Sequence, residues 1–246
     1  MILDRRQYTA KPGRIAEFWA AQDRWNRSPV AQTVMRHNLI SLEPIAGNGD
    51  HIVHIYGFES LDQWRSSYMA VYAAHPPEYF ATVRSLFLAQ QSGFFAPAPL
   101  EALVLPLFGG TLPEVQGEVA ASGADPARLC VTEEMLELRP GGLPRYWDAW
   151  RSYIERVGPE ATSGIIGAWF AIDGIHNRVV IYRWFPDVTA AWDHKGKMRD
   201  NAAWLAFAQS YEDILLRSET GWYKPSPVYW LRSVLQSVDW TAVQVA

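Results

Sequence analysis

The chain repeats itself, and this repeat limits its fold more than any other feature of the sequence. The segment YTAKPGRIAEFW, which begins at Tyr8, aligns with LELRPGGLPRYW, which begins at Leu136, at an offset of 128 residues. Two further pairs align at offsets of 126 and 128: HIVHIYGF at 51–58 with NRVVIYRW at 177–184, and GFFAPAP at 93–99 with GWYKPSP at 221–227. Self-similarity at a nearly fixed offset is typical of duplicated structural units. The two halves are therefore predicted to share one fold.

The first half shows the order of elements most clearly. Its predicted elements are a strand over 3–9, a helix over about 13–26, strands over 38–46 and 52–58, a helical region from Ser60 that breaks near 75–77, and a strand around 91–96. The first helix follows from apolar residues spaced i, i+3, i+4, i+7, a stripe that both halves keep. The turn Gly47-Asn48-Gly49 indicates a hairpin between the two middle strands. Each half therefore reads strand, helix, strand, strand, helix, strand.

This order is that of the ferredoxin-like motif, an antiparallel sheet with its helices on one face. The other face must be buried against a further layer, and the second copy on the same chain can supply that layer. We therefore predict an α+β fold in which tandem ferredoxin-like (βαββαβ) repeats form a pseudo-dimeric barrel, with ligand space between the two sheets. The predicted domains are repeat 1 over 1–97, a Pro- and Gly-rich linker over 98–127, and repeat 2 with a C-terminal extension over 128–246.

Composition excludes several classes of protein. A formal net charge of −4 gives no attraction for nucleic acid or anionic lipid. No apolar run is long enough to span a membrane, the N-terminal MILDRRQ does not read as a signal peptide, and the single cysteine suits a reducing compartment. We expect a cytoplasmic protein. Its aromatic content of 13% points to large side chains in a core, an interface or a ligand pocket, and composition cannot choose among these three.

The pieces YTAKPGRIAEFW, HIVHIYGFESLDQW and SGFFAPAP together resemble the NIPSNAP family of the dimeric α+β barrel superfamily. The resemblance covers nearly all of 1–97 and 129–227, and the first half is the closer. It implies a ferredoxin-like unit that pairs between two chains, so that a tandem copy is similar to a pseudo-dimer. It implies little about activity, since eukaryotic members are linked to mitochondria and vesicle traffic and bacterial members mostly lack an assigned reaction. The wider superfamily includes cofactor-free monooxygenases, polyketide cyclases and enzymes that degrade or use haem.

The polar positions of the family motif are present in one half. In the first half they are Arg6, Tyr8, Lys11, Pro12, Gly13 and His54. In the second half Glu134 stands at the Arg6 position, Leu136 at the Tyr8 position and Val180 at the His54 position. A one-sided polar set is what a single asymmetric active site would produce, although drift after duplication produces the same pattern.

Strand periodicity places His54, Tyr56 and Phe58 on one face of their strand. We expect this face to be the barrel interior, where Arg6 and Tyr8 on the neighbouring first strand would lie beside it. A histidine with a pKa near neutrality beside an arginine and a tyrosine can act as an acid or base. The alternative is a histidine that is hydrogen-bonded within a packed interface between the sheets.

In the second half, Glu134, Tyr182 and Trp184 are predicted to face the same interior. Glu134 would form an ion pair with Arg6 across the pseudo-twofold axis or serve as a catalytic acid. Tyr56 and Tyr182 align between the halves, where two phenols would bind a ligand or fill volume.

We predict no metal site and no cofactor. His51 and His54 point to opposite faces of a strand, and His194 reads as a solvated surface residue. The sequence holds no serine-hydrolase elbow, no phosphate-binding lysine loop and no dinucleotide fingerprint, and a single histidine without a haem motif does not indicate haem. Cys130 reads as a small buried residue.

The hypothesis from sequence is a cofactor-independent enzyme acting on an apolar or aromatic small molecule by cyclisation, rearrangement or oxygenation. The proposed roles are His54 as acid or base, Arg6 stabilising an oxyanion, Glu134 tuning either of them, and Tyr8, Tyr56, Phe58, Tyr182 and Trp184 binding substrate. The alternative is a non-catalytic binding or interaction scaffold. Further homo-oligomerisation is left open.

Overall fold

The computed structural model describes residues 1–46, 51–74, 77–106, 110–112 and 128–228. The first half contains β1 (Ile2–Ala10), α1 (Ile15–Asn26), α2 (Pro29–Met35), β2 (Asn38–Ala46), β3 (His51–Phe58), α3 (Leu61–Ala74), α4 (Pro77–Ser85) and β4 (Phe87–Pro97). The second half contains β5 (Cys130–Leu138), α5 (Gly142–Val157), β6 (Ile165–Ala171), β7 (Arg178–Phe185), α6 (Val188–Asp200), α7 (Ala202–Tyr211) and β8 (Leu215–Pro225). The predicted order recurs in both halves, with the short helix α2 as an addition.

Local sequence explains where these elements begin. Gly13 and Gly141 precede the first helix of each half with φ of 76° and 79°, a conformation that favours glycine. The unpredicted α2 has its own start signal, since the Ser28 hydroxyl accepts from the Ala31 amide and Pro29 occupies the first turn. Asp187 caps α6 in the same way, accepting from the Ala190 amide.

The eight strands form one closed barrel in the order β1-β3-β2-β8-β5-β7-β6-β4. All neighbouring strands are antiparallel, and each half contributes a four-stranded sheet. The halves join edge to edge at β2–β8 and β4–β6, so that neither sheet keeps a free edge. The predicted α+β barrel of two ferredoxin-like units is confirmed. No helix of the described residues is long and apolar enough to cross a membrane.

The interior of the barrel is filled. Its buried side chains come from both sheets and from the connector, and they include Val53, Ile55, Phe95, Leu105, Leu129, Trp169, Val180, Tyr182, Trp184 and Tyr223. A void between Ile55, Trp169 and Tyr182 measures about 10 Å³, which is room for a single water at most. The prediction of ligand space between the sheets is therefore wrong, because aromatic rings and the connector leucines occupy that volume.

The strand register corrects one alignment of the repeat. Arg6 pairs with His54 in the first half, whereas Glu134 pairs with Ile181 in the second. The offset is therefore 127 through β3 and β7, not 126, and the counterpart of Tyr56 is Arg183. Because side chains alternate along a strand, a slip of one residue assigns every side chain to the wrong face.

Six of the eight predicted site residues lie on the helix-covered face of a sheet and not in the barrel interior, because the helices pack against the polar face of these strands and not against the apolar face. Tyr56 and Phe58 pack against the helices of the first half, while Val53 and Ile55 face the barrel interior, the reverse of the prediction. Tyr182 faces the interior and is not the counterpart of Tyr56. Cys130 is buried as predicted.

Several sequence features fall partly outside the described residues. These are the Gly47-Asn48-Gly49 turn, residues 75–76, most of the predicted linker over 98–127, and the C-terminal extension from 229 onward. Within the described part of the linker, Leu105 and Leu112 pack in the barrel interior.

Candidate functional site

The predicted site residues are divided among three places. Arg6, Tyr8, His54, Tyr56 and Phe58 lie between the first sheet and its helices, Tyr182 and Trp184 lie in the barrel interior, and Glu134 lies between the second sheet and its helices. Only the first group comes together as a cluster, on the face of the sheet opposite to the one expected.

In the first-half cluster, Arg6 is held by a neighbour on its own strand. Its Nε and Nη2 donate to Oδ2 of Asp4 at 3.0 and 2.8 Å. The Trp64 indole of α3 donates to the same Asp4 oxygen at 2.8 Å, and the Arg6 guanidinium lies 4.1 Å from the ring centre of Tyr68. The predicted ion pair between Arg6 and Glu134 is therefore wrong, because the two side chains lie under different sets of helices.

His54 is enclosed by aromatic rings and is 1% exposed. The ring centres of Tyr8 and Trp19 lie 5.2 and 5.8 Å from its own, and its Nδ1 is 3.3 Å from the Tyr56 hydroxyl. Burial, and secondarily the charge of Arg6, lower the pKa of His54 to about 3. The imidazole is therefore neutral at physiological pH, and the expected pKa near neutrality is wrong.

A polar network in the barrel interior was not predicted. Arg5 Nε donates to Glu133 Oε1 at 2.6 Å, and the hydroxyls of Tyr182 and Tyr223 donate to the same carboxylate at 2.9 and 3.1 Å. Arg5 and Glu133 occupy equivalent positions of β1 and β5, so their contact places both at the pseudo-twofold axis. The offset of 128 could have identified this pair, which lies one residue before the pair that was chosen.

The largest cavity among those described lies under α6 in the second half, between that helix and strands β5, β7 and β8. Its volume is about 880 Å³, which is in the range of small-molecule sites. Its aromatic wall consists of Phe185, Trp192, Trp204 and Trp222, and its polar wall includes Thr132, Glu134, Arg183, His194, Lys195 and Thr220. The combination of broad apolar surface with a few converging polar groups is typical of a ligand pocket.

The ionisable groups of this cavity are perturbed by burial. Desolvation raises the pKa of the Glu134 carboxyl, although Arg183 and Lys195 oppose the shift. Desolvation lowers the pKa of Arg183, and it lowers that of His194 to about 4 with help from Arg183 and Lys197. Perturbed groups that converge on a cavity are a feature of functional sites.

The cavity exists because α6 packs loosely. Within α6, whose residues are all described, Ala191 is the one buried side chain, whereas α5 buries Tyr146, Trp147, Trp150 and Tyr153. In the first half the corresponding helix α3 covers the sheet with Tyr68. The second half therefore has an open space where the first half has a packed aromatic layer.

Most of this second-half site was not predicted from the sequence. His194 was assigned to the solvated surface, but it lines the cavity with its ring centre 5.2 Å from that of Phe185. Arg183 was missed because the misaligned repeat gave Tyr56 the wrong counterpart. The sequence does carry a signal for the loose packing of α6, since VTAAWDHKGKMRD has no apolar stripe with which to cover a sheet. In the described chain no group of three His, Cys, Asp or Glu side chains is arranged to hold a metal ion.

Comparison with known proteins finds a family model that matches part of the second half and solved structures that share the fold of nearly the whole chain. Residues 133–228 match the NIPSNAP family. No curated protein sequence matches the chain. The first-half motifs, which looked closer to the family, lie outside the matched range.

Three solved structures share the fold over nearly the whole chain. A candidate monooxygenase from Lactobacillus acidophilus NCFM is 10% identical, with a TM-score of 0.57 over 95% of this chain and 96% of that one. A candidate monooxygenase from Fusobacterium nucleatum is 11% identical, with a TM-score of 0.57 over 92% of each chain. An anthrone oxidase-like protein is 11% identical, with a TM-score of 0.55 over 91% of this chain and 90% of that one.

Proposed function

We propose, from the premise that residues 133–228 are a NIPSNAP domain, that the chain is an enzyme acting on an aromatic small molecule in the cavity under α6. The observation that carries this proposal is the cavity of about 880 Å³ with an aromatic wall and Glu134 and Arg183 on its polar wall. This location replaces the barrel interior of the sequence hypothesis. Glu134 is the one residue of the site predicted from the sequence that also lines this cavity.

The aromatic wall suits a flat apolar ligand. The ring centres of Trp192 and Trp222 lie 5.9 Å apart, on the helix and on the sheet, and Trp192 is 67% exposed. A ligand that stacks on these rings would bury surface that water now covers, which is the main source of affinity for an aromatic molecule. The loose packing of α6 gives such a ligand a way in.

The polar wall suits a substrate that forms an anion. A carboxylate with a raised pKa is a better base than an ordinary one, so Glu134 is our proposed general base for a phenolic or enolic proton. Arg183 is on the same wall. Because an arginine is a cation at neutral pH, it would stabilise the phenolate or enolate. Deprotonation of this kind is a first step common to cyclisation, rearrangement and cofactor-free oxygenation.

Replacement of Glu134 tests this role. We expect the affinity of Glu134→Gln for phenolic aromatic ketones, measured by quenching of tryptophan fluorescence, to stay within a few-fold of the wild-type affinity. Turnover should fall roughly 10²- to 10⁴-fold. The matched control is Glu137→Gln. Glu137 lies on the same strand, and its carboxylate pairs with Arg178 away from the cavity. Equal turnover in Glu134→Gln and Glu137→Gln would remove Glu134 from the mechanism.

The type of reaction is tested with anthrone, chosen because one structural neighbour is described as anthrone oxidase-like. Oxygenation consumes one O₂ per anthrone and yields anthraquinone and one water, so O₂ itself is the oxidant. An oxygen electrode together with product chromatography measures this ratio, and cyclisation or rearrangement would consume no oxygen. An absorption spectrum of the purified protein tests independence of cofactors, since a haem or flavin band would contradict it.

A second candidate is a non-catalytic scaffold that binds a ligand or a partner protein. The filled barrel interior favours it, because a packed core needs no chemistry to explain it. Saturable binding in the α6 cavity without turnover of any member of a phenolic panel would support this candidate over the enzyme.

A further inference from the structure

A second and smaller cavity lies in the first half, between its sheet and helices. Its volume is about 100 Å³. His54 and Tyr56 line its buried part, and the exposed side chains of Tyr72, Arg84 and Gln90 line the part next to solvent. The cavity is therefore a narrow pocket with an outlet, not part of the cavity under α6.

The ionisable groups of this pocket are hydrogen-bond donors or cations. They are two arginines, one histidine and five tyrosines: Arg6, Arg84, His54, Tyr8, Tyr56, Tyr68, Tyr72 and Tyr79. No aspartate or glutamate lines the pocket within the described residues. Burial raises the pKa values of Tyr8, Tyr56 and Tyr68, so these phenols stay protonated. A pocket of this kind favours a ligand rich in acceptor oxygens.

Two buried polar atoms in the lining have no partner. The Nε2 of His54 and the hydroxyl of Tyr68 are buried and form no hydrogen bond with any residue that the structure describes. Buried polar atoms without a partner are uncommon in folded proteins, because each costs free energy that a hydrogen bond in water would have recovered. A bound molecule that accepts from both atoms would remove this cost.

We propose that the first-half pocket is a binding site for a small organic carboxylate of two or three carbons. The volume is below the roughly 150 Å³ of a cavity that holds benzene, so a polycyclic aromatic molecule does not fit. A carboxylate supplies two acceptor oxygens for Tyr68 and His54, and the guanidinium of Arg6, which is also paired with Asp4, supplies positive charge at the wall. The short alkyl group would lie against Val71, Val83 and Phe87, which also line the pocket.

This site is a property of the first half alone and does not rest on the function proposed for the second. The counterpart of His54 is Ile181, and that of Tyr56 is Arg183. The corresponding face of the second half carries the partly buried carboxylate of Glu134, which would repel an anionic ligand at close range. The two halves thus carry different sites on one fold.

Ligand-observed NMR on the full chain tests the proposal with propionate and propionamide, two probes of nearly equal size that differ in charge. We expect saturable binding of propionate, and at least tenfold weaker binding of propionamide, because charge-assisted hydrogen bonds are the stronger ones. Tyr68→Phe removes one unpartnered hydroxyl and should fold normally, yet it should weaken propionate binding about tenfold or more.

Two variants serve as controls, with thermal unfolding to verify the fold of each. Tyr211→Phe makes the same chemical change at a buried tyrosine of the second half, and Arg183→Gln removes a cation of the α6 cavity. Both should leave propionate affinity unchanged. The proposal is overturned by any of three results: no saturable propionate binding, equal affinity in Tyr68→Phe and the wild type, or loss of binding in Arg183→Gln.

Discussion

At the scale of single residues, His54 shows how surroundings set chemistry. The same imidazole that would titrate near neutrality in water is held neutral by the aromatic rings of Tyr8, Phe18 and Trp19 and by the charge of Arg6. A buried cation here would have no carboxylate of its own, because Asp4 is already paired with Arg6. The residue is suited to donate or accept a hydrogen bond and not to exchange protons.

This depressed pKa predicts a pH dependence of stability. The folded pKa of about 3 lies below the ordinary value of 6.5, so the unfolded chain binds the proton more readily. The stability that neutral His54 contributes is present above pH 6.5 and falls as the pH drops towards 3. Over this window we expect the free energy of unfolding, measured by urea denaturation, to fall more steeply for the wild type than for His54→Gln, by up to about 1.4 kcal/mol per pH unit. The exposed His176→Gln is the control, and parallel slopes for all three proteins would contradict the assignment.

At the scale of the element, the strands make room for the rings that fill the barrel. On β6 a Cβ added at Gly167 would lie 2.5 Å from the Trp169 ring, and on β8 one added at Gly221 would lie 2.5 Å from Tyr223. Each ring therefore lies flat along its own strand over a glycine two residues earlier. This arrangement lets large aromatic side chains fill the interior without separating the sheets.

Gly167 and Gly196 make a matched pair of alanine substitutions. Gly167→Ala should destabilise the fold by about 1–3 kcal/mol, because the new methyl group collides with a buried ring. Gly196 lies inside α6, with nothing within 4 Å of an added Cβ. Gly196→Ala should therefore stabilise the fold by up to about 1 kcal/mol through helix propensity. Urea unfolding measures both changes, and shifts of the same sign would contradict this account of the packing.

At the scale of the whole molecule, the ion pair at the pseudo-twofold axis requires two different halves. Arg5 of one half meets Glu133 of the other at 2.6 Å, and a symmetric pair of identical repeats would bring two like charges together instead. The tyrosines that complete the network, Tyr182 and Tyr223, have the apolar counterparts Ile55 and Phe95. The two halves are therefore complementary to each other at this contact and not identical.

Removing one partner of this ion pair tests its contribution. Glu133→Gln leaves the buried Arg5 charge uncompensated, and we expect a loss of about 3–5 kcal/mol in the free energy of unfolding. The double variant Arg5→Met with Glu133→Leu removes both charges and should lose less than Glu133→Gln. Chemical denaturation of the wild type, of Glu133→Gln and of the double variant measures the difference. A double variant less stable than Glu133→Gln would show that the pair is favourable in itself, contrary to this expectation.

The repeat was sufficient to predict the barrel, because duplicated units with one bare sheet face have few ways to bury it. It was not sufficient for the site. Glu134 was a predicted site residue, but its neighbours Arg183 and His194 were not, since one depended on the exact offset of β7 and the other on how closely α6 packs. The apolar pattern does not fix the offset of β7, and it indicates the loose packing of α6 only through the absence of an apolar stripe in that helix.

The sequence by itself determined the order of the elements, the pairing of two ferredoxin-like units and the polar set around Arg6 and His54. Only the tertiary structure decided which side of each sheet those residues face. The physical reason is the two-residue period of a strand: the sequence indicates which side chains share a face, but the layer against that face is chosen by packing. Helices cover the polar face here, while the aromatic rings and the connector fill the barrel, so both cavities lie under the helices.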